Sequence, residues 1–259
     1  MRSIYLTLIL ALACTAARAE SDANTQLPDA PVPAVHADSP TLRSIPRDLL
    51  QEERAIWTSP LHASDRTMLE GMAFIAVAGV IGSEDRSFMQ KHFTDANTNR
   101  HANTASTGLT GLLGAAPFAY YGVGHLRNNV EAQQTGILAG EAIANSLALN
   151  EVLKITTRRE RPNVDNAEGR FFQPGVGWNS SFASSHSAIA WSSATVIAER
   201  SHSRWVKLAA YGIATGVSAS RIAGRDHFPS DVFVGSSLGW AVGHAVARRH
   251  HQHPAPLVQ

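Results

Sequence analysis

Residues 131–158 read EAQQTGILAGEAIANSLALNEVLKITTR. This stretch contains no proline and only two glycines, Gly136 and Gly140, and it is dominated by Ala, Leu, Ile and Val. Such a run predicts a long helix. Stretches of the same Ala/Gly/Leu/Val character recur at 65–81, 107–123, 185–200, 203–219 and 229–249. A further helix is expected to open at Pro46 and run through Leu49, Leu50 and Trp57, since proline suits a first helical turn. Strand alternation is scarce, and the Gly-, Pro- and aromatic-rich segment 171–178 reads as a loop. The expected fold class is all-α, a single helical bundle domain of about six to eight helices spanning residues 46–249.

Composition narrows the function classes. With 44% apolar and 17% charged residues, the 259-residue chain is not disordered throughout. A net charge of +1 excludes nucleic-acid binding by bulk electrostatics, and one cysteine excludes both a disulfide scaffold and a cysteine-cluster metal site. Residues 1–19 read as a signal peptide, with Met1 and Arg2 as the basic start, an apolar run from Ile4 to Ala13, and Ala17-Arg18-Ala19 before the cut. The apolar approach to Cys14 is a poor lipoprotein signal. Removing that segment leaves 20 basic and 21 acidic residues and no cysteine. Residues 20–45 form a Pro-rich lead-in, and the tail 250–259, with His250, His251 and His253, reads as a solvated end. Residues 102–124 form the longest run without Asp, Glu, Lys, Arg or His, but they hold five glycines, Pro117 and several Thr and Ser. The expectation is therefore an exported, periplasmic protein, soluble or associated with a membrane surface. The alternative is an integral protein with its site on the outer face.

Three clusters suggest anion chemistry. Residues 154–162 read KITTRRERP, in which Lys154 and Arg161 are seven apart and share a helix face while the helix lasts. Pro162 is expected to stop that helix. Cations also suit any helix C-terminus. Residues 181–187 read SFASSHS, immediately before an apolar helix, so Ser184 and Ser185 either cap it or offer donors to an anion at its start. His186 in that first turn could deliver a proton to a leaving group. Residues 220–231 read SRIAGRDHFPSD, in which Asp231, four residues after His227, could turn back to hold one imidazole nitrogen and leave the other as a nucleophile or base. Arg158, Arg159, Arg225 and Asp226 read as a local ion-pair network or as charge at a substrate mouth, and the tryptophans, Trp240 included, read as core.

In this order the clusters resemble the type 2 phosphatidic acid phosphatase and vanadium-dependent haloperoxidase superfamily. The matching elements are Lys154…Arg161-Pro162, Ser184-Ser185-His186 and Ser220-Arg221…His227…Asp231, within residues 131–249. The middle element departs from the family's Pro-Ser-Gly-His, because Ala183 replaces the proline and Ser185 the glycine. A positive φ at 185 would penalise serine, whereas its hydroxyl could add a donor. The resemblance implies phosphate-ester hydrolysis through a phosphohistidine. His227 is then the nucleophile, Asp231 its orienting partner and His186 the acid and later base. Lys154, Arg161, Arg221, Ser184 and Ser185 hold the phosphate, and neither metal nor cofactor is required. Lipid phosphates, small soluble monoesters and pyrophosphates are all within its range. A vanadate-dependent haloperoxidase is the alternative of the same constellation, and a catalytically weak phosphate-binding helical protein is the alternative of another class. A serine esterase would need a Gly-x-Ser-x-Gly elbow, which the chain lacks.

Overall fold

A computed structural model describes residues 40–58 and 63–251. The expected signal peptide, the expected lead-in up to residue 39 and the tail from 252 onward lie outside the described residues. Seven helices follow in order: α1 (Ile45–Thr58), α2 (Asp65–Lys91), α3 (Ala96–Leu126), α4 (Val130–Thr157), α5 (Ser185–Arg200), α6 (Arg204–Ala223) and α7 (Pro229–His251). Two 3-10 turns, Asp165–Ala167 and Gly177–Asn179, lie in the long α4–α5 connection. No strand occurs among the described residues, and the chain is all-α.

The helix starts follow local chemistry. Ser64, Asp95, Asn129 and Ser184 each sit in extended conformation before a helix, and each accepts the N–H three residues on with its side chain. That bond satisfies one of the donors that a helix N-terminus leaves open. Two helices are longer than the sequence pattern suggested. α2 continues past Ile81 to Lys91 because Asp85 and Met89, four apart, both face inward. A charge at a core position concealed that continuation. α3 begins at Ala96 rather than near Thr107, and its polar Ser106 and Thr110 are buried.

Helix α5 lies at the centre. One apolar cluster joins Leu138, Ala142 and Leu149 of α4 to Val196 of α5 and to Val242 and Val246 of α7. A second joins Leu113 of α3 to Ala190, Ala194 and Ile197 of α5 and to Ala210, Ala214 and Val217 of α6. Small residues let the backbones approach. A Cβ on Gly235 would stand 2.5 Å from the Ser184 carbonyl oxygen, and one on Gly243 would stand 2.7 Å from that of Ser192. Between them Gly239 meets the Ala188 carbonyl. Pro117 is buried inside α3, where it cannot donate to the Leu113 carbonyl. The Ser193 hydroxyl of α5 donates to that carbonyl at 2.8 Å and fills the vacancy.

The tryptophans depart from expectation. Trp57, Trp178, Trp205 and Trp240 are exposed, Trp178 to 69%. Only Trp191 is partly enclosed, packed against the α3–α5–α6 cluster with its indole N–H donating to Ser218. The α5–α7 seam has room for small side chains alone, so the large rings sit outside it.

Two glycines should therefore respond oppositely to a methyl group. Gly239→Ala is expected to lower stability by about 1–3 kcal/mol through overpacking. Gly79→Ala on α2, with open space around it, should raise stability by up to about 1 kcal/mol through lost chain entropy. Urea denaturation of the two variants checks both.

Candidate phosphate site

The three motif clusters meet at one end of the bundle. A cavity of about 780 Å³ there is lined by Arg161, Asn179, His186, Arg221, Glu160 and Asp226, among others. α4 contributes Lys154, α5 contributes His186 from its first turn, and α6 contributes Arg221 from its last. His227 comes from the turn before α7, and Asp231 from the first turn of α7.

The path from Lys154 to Arg161 differs from expectation. α4 ends at Thr157, where Arg158 turns left-handed (φ 43°) and donates its N–H to the Lys154 carbonyl. Helix therefore stops five residues before Pro162, and Arg161 reaches the cavity from a loop rather than a helix face. Loop backbone bonds fix it: Glu160 N–H to Arg170 O, Phe172 N–H to Thr157 O and Ser181 N–H to Arg159 O. The Arg161 guanidinium donates to the Asn179 carbonyl at 3.1 Å and to the Asp226 carbonyl at 3.3 Å.

Arg221 is buried. It pairs with the Asp226 carboxylate at 2.8 Å and reaches Ser106 at 3.5 Å, and its Nε has no partner. Asp226 is thus the local ion-pair partner that the sequence suggested. Lys154 is also buried, with one distant carboxylate, Glu151, at 3.8 Å. Burial, then proximity to Arg161 and Arg221, pulls the Lys154 ammonium below its ordinary value, although Glu151 opposes this. His186 is lowered to about 4, first by burial and then by Arg221, His227, Lys154 and Arg161. The site thus gathers three cations, of which Arg221 pairs with Asp226 and Lys154 with the more distant Glu151.

The serines divide their roles. Ser184 is buried as the α5 cap, and its hydroxyl receives the Ser187 N–H and hydroxyl. Ser185 is the first helical residue of α5, so the site needs no positive φ there and serine fits without backbone strain. Its hydroxyl turns toward α4, accepting from the Asn150 amide at 2.8 Å and donating to Glu151 at 3.4 Å. The side chain is therefore a brace between helices. Its backbone N–H, at a helix start, remains suited to an anion.

His227 is 1% exposed, and its Nδ1 lies 2.7 Å from the Ser181 carbonyl oxygen. A carbonyl only accepts, so Nδ1 carries the proton and the neutral ring keeps its lone pair on Nε2. Asp231 does not hold the imidazole directly, because its Oδ2 is 3.8 Å from Nδ1. That oxygen instead receives the Ser181 hydroxyl at 2.5 Å and the Phe228 N–H at 2.8 Å. Asp231 thus acts on His227 through Ser181, a residue that sequence spacing does not single out because its contribution is a backbone carbonyl. Burial works to raise the Asp231 carboxyl, but His227, Arg159 and Ser181 outweigh it and leave it below the usual value. Burial also lowers His227 to about 4, against the opposing pull of Asp231.

Fold and site together define an all-helical protein with two histidines and three cations gathered at one bundle end. Residues 135–254 match the model of the PAP2 superfamily. That match supports a phosphatase in the general sense. Among solved structures, the chain is similar to the first transmembrane PAP2-type phosphatidylglycerolphosphate phosphatase from Bacillus subtilis. Identity is 20%, with 83% of this chain and 98% of that one covered, and the TM-score is 0.47. No curated protein matches the chain.

Both histidines have folded values below the ordinary 6.5, so between pH 6.5 and about 4 the unfolded chain binds more protons than the native one. Their share of stability is complete above pH 6.5 and is lost as pH falls toward 4. Denaturation midpoints should drop across that window, and the drop should be shallower in His186→Gln.

Proposed function

We propose that the chain is a metal-independent phosphatase that hydrolyses phosphate monoesters or pyrophosphates, lipid-borne or soluble, through a phosphohistidine on His227. The observation that carries this reading is the gathering of Lys154, Arg161 and Arg221 with His186 at one end of the bundle, beside a cavity. Beyond the effect of burial, Arg161 and Arg221 stand close enough to lower the proton affinity of Lys154 and His186, and Arg221 Nε lacks a partner. A phosphate dianion relieves that repulsion and supplies the missing acceptor.

In the first step the Nε2 lone pair of His227 attacks phosphorus. The bond from phosphorus to the leaving oxygen breaks, and His186 gives that oxygen its proton. In the second step His186 takes a proton from water, whose oxygen attacks the phosphohistidine and returns Nε2 to its neutral state. Lys154, Arg161, Arg221 and the amide of Ser185 hold the non-bridging oxygens, with Ser184 fixing the turn that presents that amide. Bound phosphate raises the His186 value from about 4, because a dianion favours imidazolium.

The reading includes export and association with a membrane surface. α2 is long and apolar enough to cross a membrane, and its Met68, Leu69, Met72 and Ile75 are exposed. These side chains favour a lipid-facing position over free solution.

With p-nitrophenyl phosphate as probe, His227→Ala is expected to lose at least about 1,000-fold in kcat. Micromolar vanadate should inhibit. Substantial turnover by a folded His227→Ala variant overturns the nucleophile. The rate should be bell-shaped in pH, failing at low pH as His227 protonates and at high pH as His186 deprotonates. A profile flat from about pH 4 to pH 9 overturns the two-histidine scheme.

A further inference from the structure

Behind the cavity lies a second group of charges that touches no open space. Arg159 is 3% exposed and its guanidinium is held on every side. Nη1 donates to Asp231 Oδ1 at 2.6 Å and to Ser230 Oγ at 2.8 Å, Nη2 to Asp85 Oδ2 at 2.9 Å, and Nε to the Gly169 carbonyl at 3.3 Å. Its two faces are covered by Phe228 and Phe171, whose ring centroids lie 4.1 Å and 4.7 Å away. Asp85 comes from α2, fifty residues before the segment that matches the family. Its Oδ1 accepts the Ser230 N–H in the first turn of α7, and its Oδ2 also accepts the Ser230 hydroxyl. A carboxylate from one helix thereby caps another, where the dipole favours negative charge.

We propose that Arg159 and Asp85 are positioning residues for the His227 nucleophile. They lock Asp231 and the start of α7, Asp231 holds the Ser181 hydroxyl, and the Ser181 carbonyl sets the His227 tautomer. The inference rests on the phosphohistidine reading and extends it. The Arg159 guanidinium is occupied by Asp231, Ser230, Asp85 and the Gly169 carbonyl, so it acts through Asp231 and not on phosphate. A lysine at 159 keeps the charge but cannot reach Asp231, Ser230 and Asp85 at once, because it lacks the planar fork. α2 is then part of the catalytic apparatus, although its exposed face makes it the least enclosed long helix.

The test uses Arg159→Lys and Asp85→Asn in the full chain, with two readouts. In 15N-histidine spectra near neutral pH, with His227→Gln used for assignment, the wild type should show His227 protonated at Nδ1. Both variants should shift toward a tautomer mixture. With p-nitrophenyl phosphate, kcat should fall about 10–100-fold while KM changes less than about threefold, the range seen when residues that orient ligating or reacting groups are altered. The double variant should be no worse than the weaker single one, as expected for members of one chain of contacts. An unchanged tautomer and kcat with only a lower Tm makes the cluster purely structural and overturns the inference. A raised KM at constant kcat makes Arg159 a binding cation and also overturns it. Absence of turnover in the wild type would remove the phosphatase reading, yet the tautomer measurement would still decide this one. If Arg159→Lys does not fold, Asp85→Asn, which keeps the side-chain shape, decides it.

Discussion

The approach of α7 to α5 governs the geometry of this protein. Gly235, Gly239 and Gly243 recur every four residues and turn a bare strip of α7 toward the α5 backbone. At the upper end of that strip Gly235 lies against Ser184, and the Ser184 N–H donates to the Asp231 carbonyl at 3.1 Å. The cap of one helix and the first turn of the other are thus joined by backbone, which cannot swing as side chains do. His186 and His227 take their places from that joint. Packing and chemistry are here the same constraint, because a wider seam would separate the two histidines.

Electrostatics then works in two layers. Beside the cavity, burial and then the nearby Arg161 and Arg221 lower the proton affinity of Lys154 and His186. Beneath it, Asp85 and Asp231 share Arg159. Burial leaves Asp85 above its ordinary value despite Arg159 and Ser230, whereas Asp231 lies below its own. The upper layer suits an anion that arrives and leaves, and the lower one is closed on itself. His227 stands between the two, with one nitrogen bound to the lower layer through Ser181.

Much of this was legible in the amino-acid pattern, and the exceptions share a physical cause. Helical runs of Ala, Leu and Val announce themselves by period, so the all-α bundle and the positions of α4 to α7 could be read directly. The motif spacing brought Lys154, Arg161, His186, Arg221 and His227 to notice, and the structure does gather them. What escaped was long-range or carried by backbone. Asp85 drew no notice because its partner, Arg159, lies 74 residues away. Asp231 looked like the direct partner of His227 because a four-residue spacing suits that contact, yet a main-chain carbonyl took the place. Ser185 left both a strained backbone and an extra donor open, and only the helical start of α5 with Asn150 and Glu151 beside it decides between them.

The proline in the middle of α3 depends on a residue of another helix. Leu113 would leave a buried carbonyl unpaired beneath Pro117 were it not for the Ser193 hydroxyl. A serine at 193 is tolerable without the proline, since its hydroxyl can bond within its own helix. A proline at 117 without that serine carries the full cost of the orphaned oxygen. The dependence is therefore one-sided: the serine stands without the proline, but the proline does not stand as cheaply without the serine. A single hydrogen bond between two helices thus makes the sequence of one conditional on the sequence of the other.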